Sequence, residues 1–229
     1  MKTIGLIGGM SWESTVTYYE LLNTAAKQTL GGLHSAKVLL YSVDFFEVEA
    51  CMSADDWQGA AQILIDAAQR LERAGADFVL IGTNTLHKVA PAVQQAVGIE
   101  LLHIADAVAD ALLAKGVVNA ALLGTRYTME QDFYKTRLQE RGITVMIPSG
   151  DERAWLDNTI FNELCLGVAT ADAKRRIKVL CERLSQNGAD GIILGCTELG
   201  MLITQKDTAA PLFDSVTIHA NAAAWRAFA

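Results

Sequence analysis

Cys196 is the residue whose type and position in this sequence best suit chemistry. It follows the apolar run Ile192–Leu194, and Gly195 lets the backbone bend where that run ends. A short apolar run bounded by turn residues is typical of a buried parallel strand, and ligands of open α/β sheets bind at the carboxyl edge of such strands. A thiol there can attack an electrophile or remove a proton, and we expect the backbone N–H groups of the next helix to favour its thiolate. Thr197 and Glu198 add polar groups at the same edge.

The segment that ends in Cys196 has an earlier counterpart that ends in Thr83. The two segments match at an offset of 113 residues (196 − 83 = 113), which also pairs Gly75 with Gly188, Asp77 with Asp190, and Gly82 with Gly195. A second match at a similar offset (124 − 8 = 116) pairs Gly8 with Gly124 and Tyr18 with Tyr134. Two such matches in the same order indicate a duplicated half. If the halves face each other, Thr83 and Cys196 lie opposite one another across a cleft.

The elements that must position these residues alternate along the whole chain between strand and helix patterns. This alternation predicts an α/β fold with mainly parallel sheets. A helix is expected from Trp12 to Leu30, whereas residues 43–52, which carry three acidic side chains, are expected to form a solvated loop. No linker rich in Pro, Ser and Gly marks a boundary. We place the first domain at 1–100, with 207–229 returning to it, and the second at 101–206.

The composition argues against two classes of protein. With 51% hydrophobic and 20% charged residues among 229, it is that of an ordinary globular protein. The net charge of −7 argues against a nucleic-acid partner, and no uncharged apolar stretch is long enough to span a bilayer. The first residues do not resemble a signal peptide. The four cysteines form no CxxC pair and no metal-ligand spacing with histidine, so we expect reduced thiols in the cytoplasm and no metal.

The other candidate side chains are weaker when each is taken alone. Thr83 could simply cap a helix, and its hydroxyl is a poor base without an activator. His87, four residues on, could supply one, although such a residue more often caps its own helix or is solvated. Hydroxyl and amide groups on strand-end loops suit a small zwitterion or carboxylate without a metal; they are Asn84, Thr85, Thr125 and Thr197. The remaining cysteines are expected to be small hydrophobic residues, and the remaining histidines are isolated in sequence: Cys51, Cys165, Cys181, His34, His103 and His219.

Three motifs together resemble the aspartate/glutamate racemase family, whose members need no pyridoxal phosphate. They are Gly8-Gly9-Met10-Ser11-Trp12-Glu13-Ser14, Thr83-Asn84-Thr85 and Gly195-Cys196-Thr197-Glu198. The resemblance covers essentially the whole chain and is nearest to the bacterial broad-specificity and L-aspartate/glutamate-specific racemases. It implies two pseudo-symmetric, Rossmann-like α/β domains with the active site in the cleft between them. It also implies an amino acid substrate, no cofactor and a homodimer.

The resemblance further implies roles for individual residues. Members of the family usually place one cysteine on each side of the substrate Cα, so that one removes the proton and the other returns it. Cys196 matches the second cysteine and Thr83 stands at the position of the first, so these two are the implied catalytic residues. The implied substrate-binding residues are Met10, Asn84, Thr85, Thr125, Thr197 and Glu198. Cys165 stands where aspartate-specific members have a lysine for the distal carboxylate, which leaves the preferred substrate side chain open.

Two other functions are compatible with the same residues. Cys196 could act covalently in a thiol-nucleophile isomerase or hydrolase of a small carboxylate. A protein without the first cysteine could instead bind an amino acid with little turnover. Proton exchange at Cα without a covalent adduct would separate a racemase from both.

Overall fold

The computed structural model describes all residues from 1 to 229, which form two compact units. Unit 1 comprises residues 1–104 and 219–229, and unit 2 comprises residues 105–218. Each unit contains one four-stranded sheet, and every strand pair in both sheets is parallel. The predicted α/β class with parallel sheets is confirmed.

Strands and helices alternate in both units. Unit 1 contains β1 (Ile4–Gly8), α1 (Trp12–Leu30), β2 (Val38–Ser42), α2 (Phe45–Ser53), α3 (Trp57–Arg73), β3 (Phe78–Ile81), α4 (Ala90–Gln95) and β4 (Glu100–Leu101). The elements that follow are α5 (Ile104–Ala114), β5 (Asn119–Gly124), α6 (Arg126–Glu130), α7 (Asp132–Glu140), β6 (Thr144–Met146), α8 (Gly150–Asn162), α9 (Ala171–Gln186), β7 (Gly191–Gly195), β8 (Leu212–Asp214) and α10 (Ser215–Phe228). Nearly all of α5 belongs to unit 2, and most of α10 returns to unit 1.

The two sheets have the same topology, as a duplicated half requires. The strand order is β2-β1-β3-β4 in unit 1 and β6-β5-β7-β8 in unit 2. Ile4 of β1 pairs with Phe78 of β3, and Ala120 of β5 pairs with Gly191 of β7. These partners are related by the offsets of 116 and 113 residues found in the sequence (120 − 4 = 116; 191 − 78 = 113). The repeat therefore preserves the register of the two central strands as well as their order.

The limits of the units differ from those expected from the sequence. The expected ranges were 1–100 with 207–229, and 101–206, which would assign β8 to the first domain. In the structure β8 is hydrogen-bonded to β7, with Phe213 opposite Ile193, so this strand completes the sheet of unit 2. The chain returns to unit 1 only at His219, inside α10.

Local structure departs from expectation in two places. Residues 43–52 are not a loop, because the Asp44 carboxylate accepts the Phe46 N–H at 3.0 Å and caps α2. The sequence also predicts a single helix from about Met129 to Arg141, but the structure divides it at Gln131, which separates α6 from α7. The helix expected from Trp12 to Leu30 is confirmed at both ends, and the Ser14 N–H donates to the Ser11 hydroxyl at its N-cap.

The two tyrosines paired by the repeat, Tyr18 and Tyr134, are both fully buried but differ in their hydrogen bonding. The Tyr18 hydroxyl lies 2.8 Å from Nδ1 of His219 on α10. The Tyr134 hydroxyl has no hydrogen-bond partner, and burial raises the pKa of this phenol far above its usual value. In unit 2 the helix that corresponds to α10 is α5, whose sequence contains no histidine. The duplicated hydroxyl has therefore lost its partner in the second half.

We expect Tyr134→Phe to leave the free energy of unfolding unchanged or to raise it by about 1 kcal/mol, because it removes an unsatisfied buried hydroxyl. Tyr18→Phe is the matched control and should lower it by about 1–3 kcal/mol, because it leaves a buried histidine nitrogen unpaired. Urea unfolding of both variants measures the difference. Equal losses of stability in the two variants would contradict this assignment.

Candidate functional site

The loop that follows β1 in unit 1 is built on a close backbone approach. Gly9 has a φ of +94°, and a Cβ at this position would lie 2.2 Å from the carbonyl oxygen of Val43. The Gly9 N–H donates to the Thr15 hydroxyl at 2.8 Å, which ties the loop to the first turn of α1. The glycines of this motif thus allow β1 to pass the end of β2 and deliver Met10 and Ser11 to the carboxyl edge of the sheet.

Thr83 lies at the same edge of unit 1, after β3, and His87 holds its main chain. The His87 ring is buried, with Nδ1 at 2.7 Å from the Thr83 carbonyl oxygen and Nε2 at 3.2 Å from the Ile104 nitrogen. The carbonyl can only accept and the main-chain N–H can only donate, so the ring is neutral with its proton on Nδ1. The expectation that His87 could be solvated is wrong, because its ring is buried. Because main-chain groups engage both ring nitrogens, His87 positions Thr83 and does not activate the hydroxyl.

His87 belongs to a buried cluster of three histidines that the sequence did not reveal. The rings of His87 and His103 have centroids 4.5 Å apart, and those of His87 and His219 are 5.7 Å apart. The His219 Nε2–H donates to the Leu102 carbonyl at 2.9 Å, so Nδ1 accepts the Tyr18 O–H. The expectation that His103 and His219 are isolated is wrong. It failed because α10 returns to unit 1 from the far end of the chain.

His219 should make stability depend on pH. Burial lowers its pKa from 6.5 to about 4, outweighing the hydrogen bond to the Leu102 carbonyl, which raises the pKa. Between these values the unfolded chain binds more protons than the folded one, so the free energy of unfolding should fall as the pH drops. The loss should reach about 3 kcal/mol near pH 4.

Urea unfolding between pH 7 and 4.5 tests this pH dependence. His219→Gln should flatten the profile in this window, whereas His34→Gln, at an exposed histidine, should not change it. A His219→Gln profile as steep as that of the parent would contradict the assignment.

In unit 2 the ends of β5 and β7 come close together through a pair of glycines. A Cβ on Gly124 would lie 2.8 Å from the Gly195 carbonyl oxygen, and a Cβ on Gly195 would lie 2.8 Å from the carbonyl oxygen of Leu123. Glycine at both positions lets the two strands finish side by side. The residues that follow them, Thr125 and Cys196, therefore stand at one edge of the sheet.

The Cys196 thiol is held by a carboxylate two residues away. Its Sγ lies 3.0 Å from Oε2 of Glu198, and the Thr197 hydroxyl donates to the same oxygen. Cys196 and Glu198 are only 9% and 8% exposed. A carboxylate accepts hydrogen bonds, so the thiol proton points at Glu198.

The thiol is the resting form of Cys196, contrary to the expectation of a stabilised thiolate. Burial raises the pKa of the Cys196 thiol well above its usual value, and the Glu198 carboxylate raises it further. The segment that follows is a five-residue 3₁₀ turn, Thr197–Met201, and not an α-helix with a substantial dipole. The positive field expected at this position is therefore replaced by the negative charge of Glu198.

Cys165 is close enough to Cys196 to influence it, which the sequence did not indicate. It lies in the turn Leu164–Leu166, which packs against the turn Thr197–Met201. Its charge would raise the pKa of the Cys196 thiol further. Cys181 does behave as the expected buried hydrophobic residue, because burial raises the pKa of its thiol to about 12. All four cysteines are free.

The remaining residues predicted to bind substrate lie on the strand-end loops. Met10 packs in the apolar cluster of unit 1, and Asn84 and Thr85 are buried in the loop after β3. Thr125 caps α6, since its hydroxyl accepts the Thr128 N–H at 3.3 Å. The next residue, Arg126, donates its main-chain N–H to Asp157 at 2.7 Å. Each of these residues thus follows the carboxyl end of a strand within its own unit.

Two classes of feature are absent from the structure. No three His, Cys, Asp or Glu side chains are grouped so that they could hold a metal ion. No helix has the length and apolar character needed to cross a membrane.

Comparison with known proteins connects this geometry to one family. The profile of the family described as Asp/Glu/Hydantoin racemase matches residues 7–223. The chain is 25% identical over 220 residues to the broad specificity amino-acid racemase RacX of Bacillus subtilis (strain 168), covering 93% of this chain and 92% of that protein.

Solved structures agree with the sequence match. A candidate Asp/Glu racemase from Yersinia pestis is 48% identical, with a TM-score of 0.95 and complete coverage of both chains. An aspartate racemase homologue from Pyrococcus horikoshii OT3 is 38% identical, with a TM-score of 0.88 and complete coverage of both chains. These relatives favour racemase chemistry over the hydrolase and binding-protein alternatives.

Proposed function

Because the chain belongs to the Asp/Glu/hydantoin racemase family, we propose that it is an amino acid racemase that moves the Cα proton without a cofactor. The substrate is aspartate, glutamate or a related amino acid. The observation that carries the proposal is the buried Cys196 thiol at the carboxyl edge of β7, within hydrogen-bond reach of a carboxylate. A thiol that can exchange its proton at such an edge is suited to general acid–base chemistry at Cα.

Cys196 exchanges the proton on one face of Cα, and Thr83 serves the other. The support for Thr83 is its place in the repeat, because Gly82 and Gly195 precede the two residues at matched strand ends. A neutral hydroxyl far from its pKa works best as a proton donor or through water. His87 contributes by fixing the Thr83 main chain.

Hydroxyl and amide groups at the same edges hold the amino acid. Asn84, Thr85, Thr125 and Thr197 bind the α-carboxylate and ammonium groups, and Met10 lines the site. Such groups bind a carboxylate without a metal. Cys165 provides no positive charge for a distal carboxylate, so a substrate range beyond aspartate and glutamate is expected.

Chiral chromatography after incubation with single L-amino acids tests this function. Aspartate, glutamate and a panel of polar and apolar amino acids should be included, and the D-enantiomer should appear for at least one of them. Prior removal of pyridoxal phosphate by hydroxylamine and dialysis should not change the rate. Failure to form the opposite enantiomer from every amino acid would overturn the proposal.

We also propose that the racemase works in the cytoplasm as a homodimer. On α1, Trp12, Val16 and Tyr19 are exposed at helical spacing and form an apolar stripe, with Trp12 65% exposed. Such a stripe suits a protein interface. Light scattering should give twice the chain mass for the parent, and Val16→Glu should shift the mass toward the monomer. A monomeric parent would contradict the dimer.

A further inference from the structure

We propose that Glu198 is the base that takes the proton from the Cys196 thiol and so generates the thiolate for each turnover. This role rests on the proposed racemase function and deepens it. It goes beyond the substrate-binding role first expected for Glu198.

The contacts of Glu198 suit this role. Oε2 of Glu198 receives two hydrogen bonds, one from the Cys196 thiol at 3.0 Å and one from the Thr197 hydroxyl. Cys196 and Glu198 are both more than nine-tenths buried, so solvent does not readily compete for this proton. A thiol–carboxylate pair in this arrangement needs no movement of heavy atoms to transfer the proton.

The protonation state of Cys196 also calls for a base. Burial and the adjacent carboxylate keep Cys196 a thiol, and a thiol cannot remove a proton from Cα. The titratable groups that face Cys196 within unit 2 are Glu198 and Cys165, and Glu198 is the one that accepts its hydrogen bond. The carboxylate is therefore the group in place to act as a base.

The step balances as two linked proton transfers. The Sγ–H bond breaks and the proton joins Oε2, leaving a thiolate beside a neutral carboxylic acid. The Cα–H bond then breaks, its proton joins Sγ, and its electron pair remains on the substrate, delocalised into the α-carboxylate. In net terms Cα has lost one proton and Glu198 has gained one, the former Cα proton now lies on Sγ, and the reverse sequence returns a proton to the same face.

Replacement of Glu198 should move two properties of Cys196 in opposite directions. In Glu198→Gln the negative charge is lost, so more thiolate forms at neutral pH, and carbamidomethylation of Cys196 by iodoacetamide should accelerate about tenfold. Exchange of the substrate Cα–H with deuterium oxide should fall by about 10²-fold, because the base is gone. Glu198→Asp keeps the charge and should alkylate as slowly as the parent.

The experiment follows both rates across pH 6–9, with peptide mass spectrometry to resolve Cys196 from the other thiols. Glu182→Gln is the matched control, because it removes an exposed carboxylate that acts on Cys181 and should leave both Cys196 rates unchanged. A purely structural role for Glu198 would lower exchange without faster alkylation, and that result overturns the proposal. Exchange in Glu198→Gln within twofold of the parent overturns it as well.

The alkylation arm does not depend on racemase activity. If the parent exchanges no amino acid, the proposed function fails, and the alkylation profile still decides whether Glu198 controls the thiol proton. An unchanged alkylation profile in Glu198→Gln overturns that control whatever the substrate.

Discussion

Cys196→Ser should lower Cα–H exchange of both enantiomers by at least about 10²-fold, the smallest contribution usual for a positioned acid–base group. Serine is close to cysteine in shape and can still donate to Glu198, but its hydroxyl is far less acidic than a thiol. The loss should therefore appear in catalysis and not in folding. Proton NMR in deuterium oxide measures the exchange, and urea unfolding checks that stability is retained.

Cys51→Ser is the control for Cys196→Ser, because Cys51 lies on α2 in unit 1. It should leave both exchange rates within about twofold of the parent. Retention of a tenth or more of the parent rate by Cys196→Ser would remove this thiol from the mechanism.

Thr83→Cys should raise turnover of the slower enantiomer by about tenfold or more. A threonine hydroxyl has a pKa far above neutrality, whereas a thiol can gain and lose a proton near pH 8.5. The main chain at residue 83 already has the place in the repeat that Cys196 has in the second half, so a cysteine there needs no change of backbone. Separate kcat and KM values for each enantiomer measure the effect.

Thr83→Ala is the companion variant, since it removes the hydroxyl without supplying a thiol. It should slow racemisation while the protein stays folded, because Thr83 is only partly buried. The equilibrium constant must remain at unity in every variant, since enantiomers have equal free energy. A Thr83→Ala variant as active as the parent would show that another group serves the second face.

The parallel sheets and their carboxyl edges could be predicted from the sequence because glycines mark both the repeat and the ends of its strands. Gly82 and Gly195 recur at a fixed offset, and in the structure each ends a central strand where a Cβ would crowd a neighbouring carbonyl oxygen. Such close approaches leave little choice of residue, so the repeat survives in the sequence. The duplication and the matched positions of Thr83 and Cys196 at strand ends follow from it, whereas the strand order within each sheet is known only from the structure.

The histidine cluster could not be predicted in the same way. His87, His103 and His219 become neighbours only because α10 crosses back to unit 1, a contact that spans more than 100 residues of chain. The spacing of residues within a short segment does not indicate that a distant helix packs against it. The sequence predicts that the C-terminal segment returns to the first domain. It does not predict which side chains would come into contact there.

The ionisation of Cys196 was mispredicted for a different reason. The sequence predicts that the N–H groups at the start of the next helix favour the thiolate form of Cys196. The structure instead places the Glu198 carboxylate within hydrogen-bond distance of Sγ, and a full negative charge outweighs the partial charge of a short turn. The protonation state of Cys196 depends on whether the Glu198 side chain points back towards it. Residue spacing alone does not show that direction.

Under the proposed function, Cys196 and Thr83 exchange the Cα proton of an amino acid on opposite faces. The most direct measurement follows deuterium incorporation from deuterium oxide into each pure enantiomer of a substrate during the first few per cent of reaction. We expect incorporation into both enantiomers at unequal rates, which Thr83→Cys should bring closer together and Cys196→Ser should lower by at least about 10²-fold. Equal rates for the two enantiomers, unchanged by Thr83→Ala, or no incorporation into any amino acid, would contradict it.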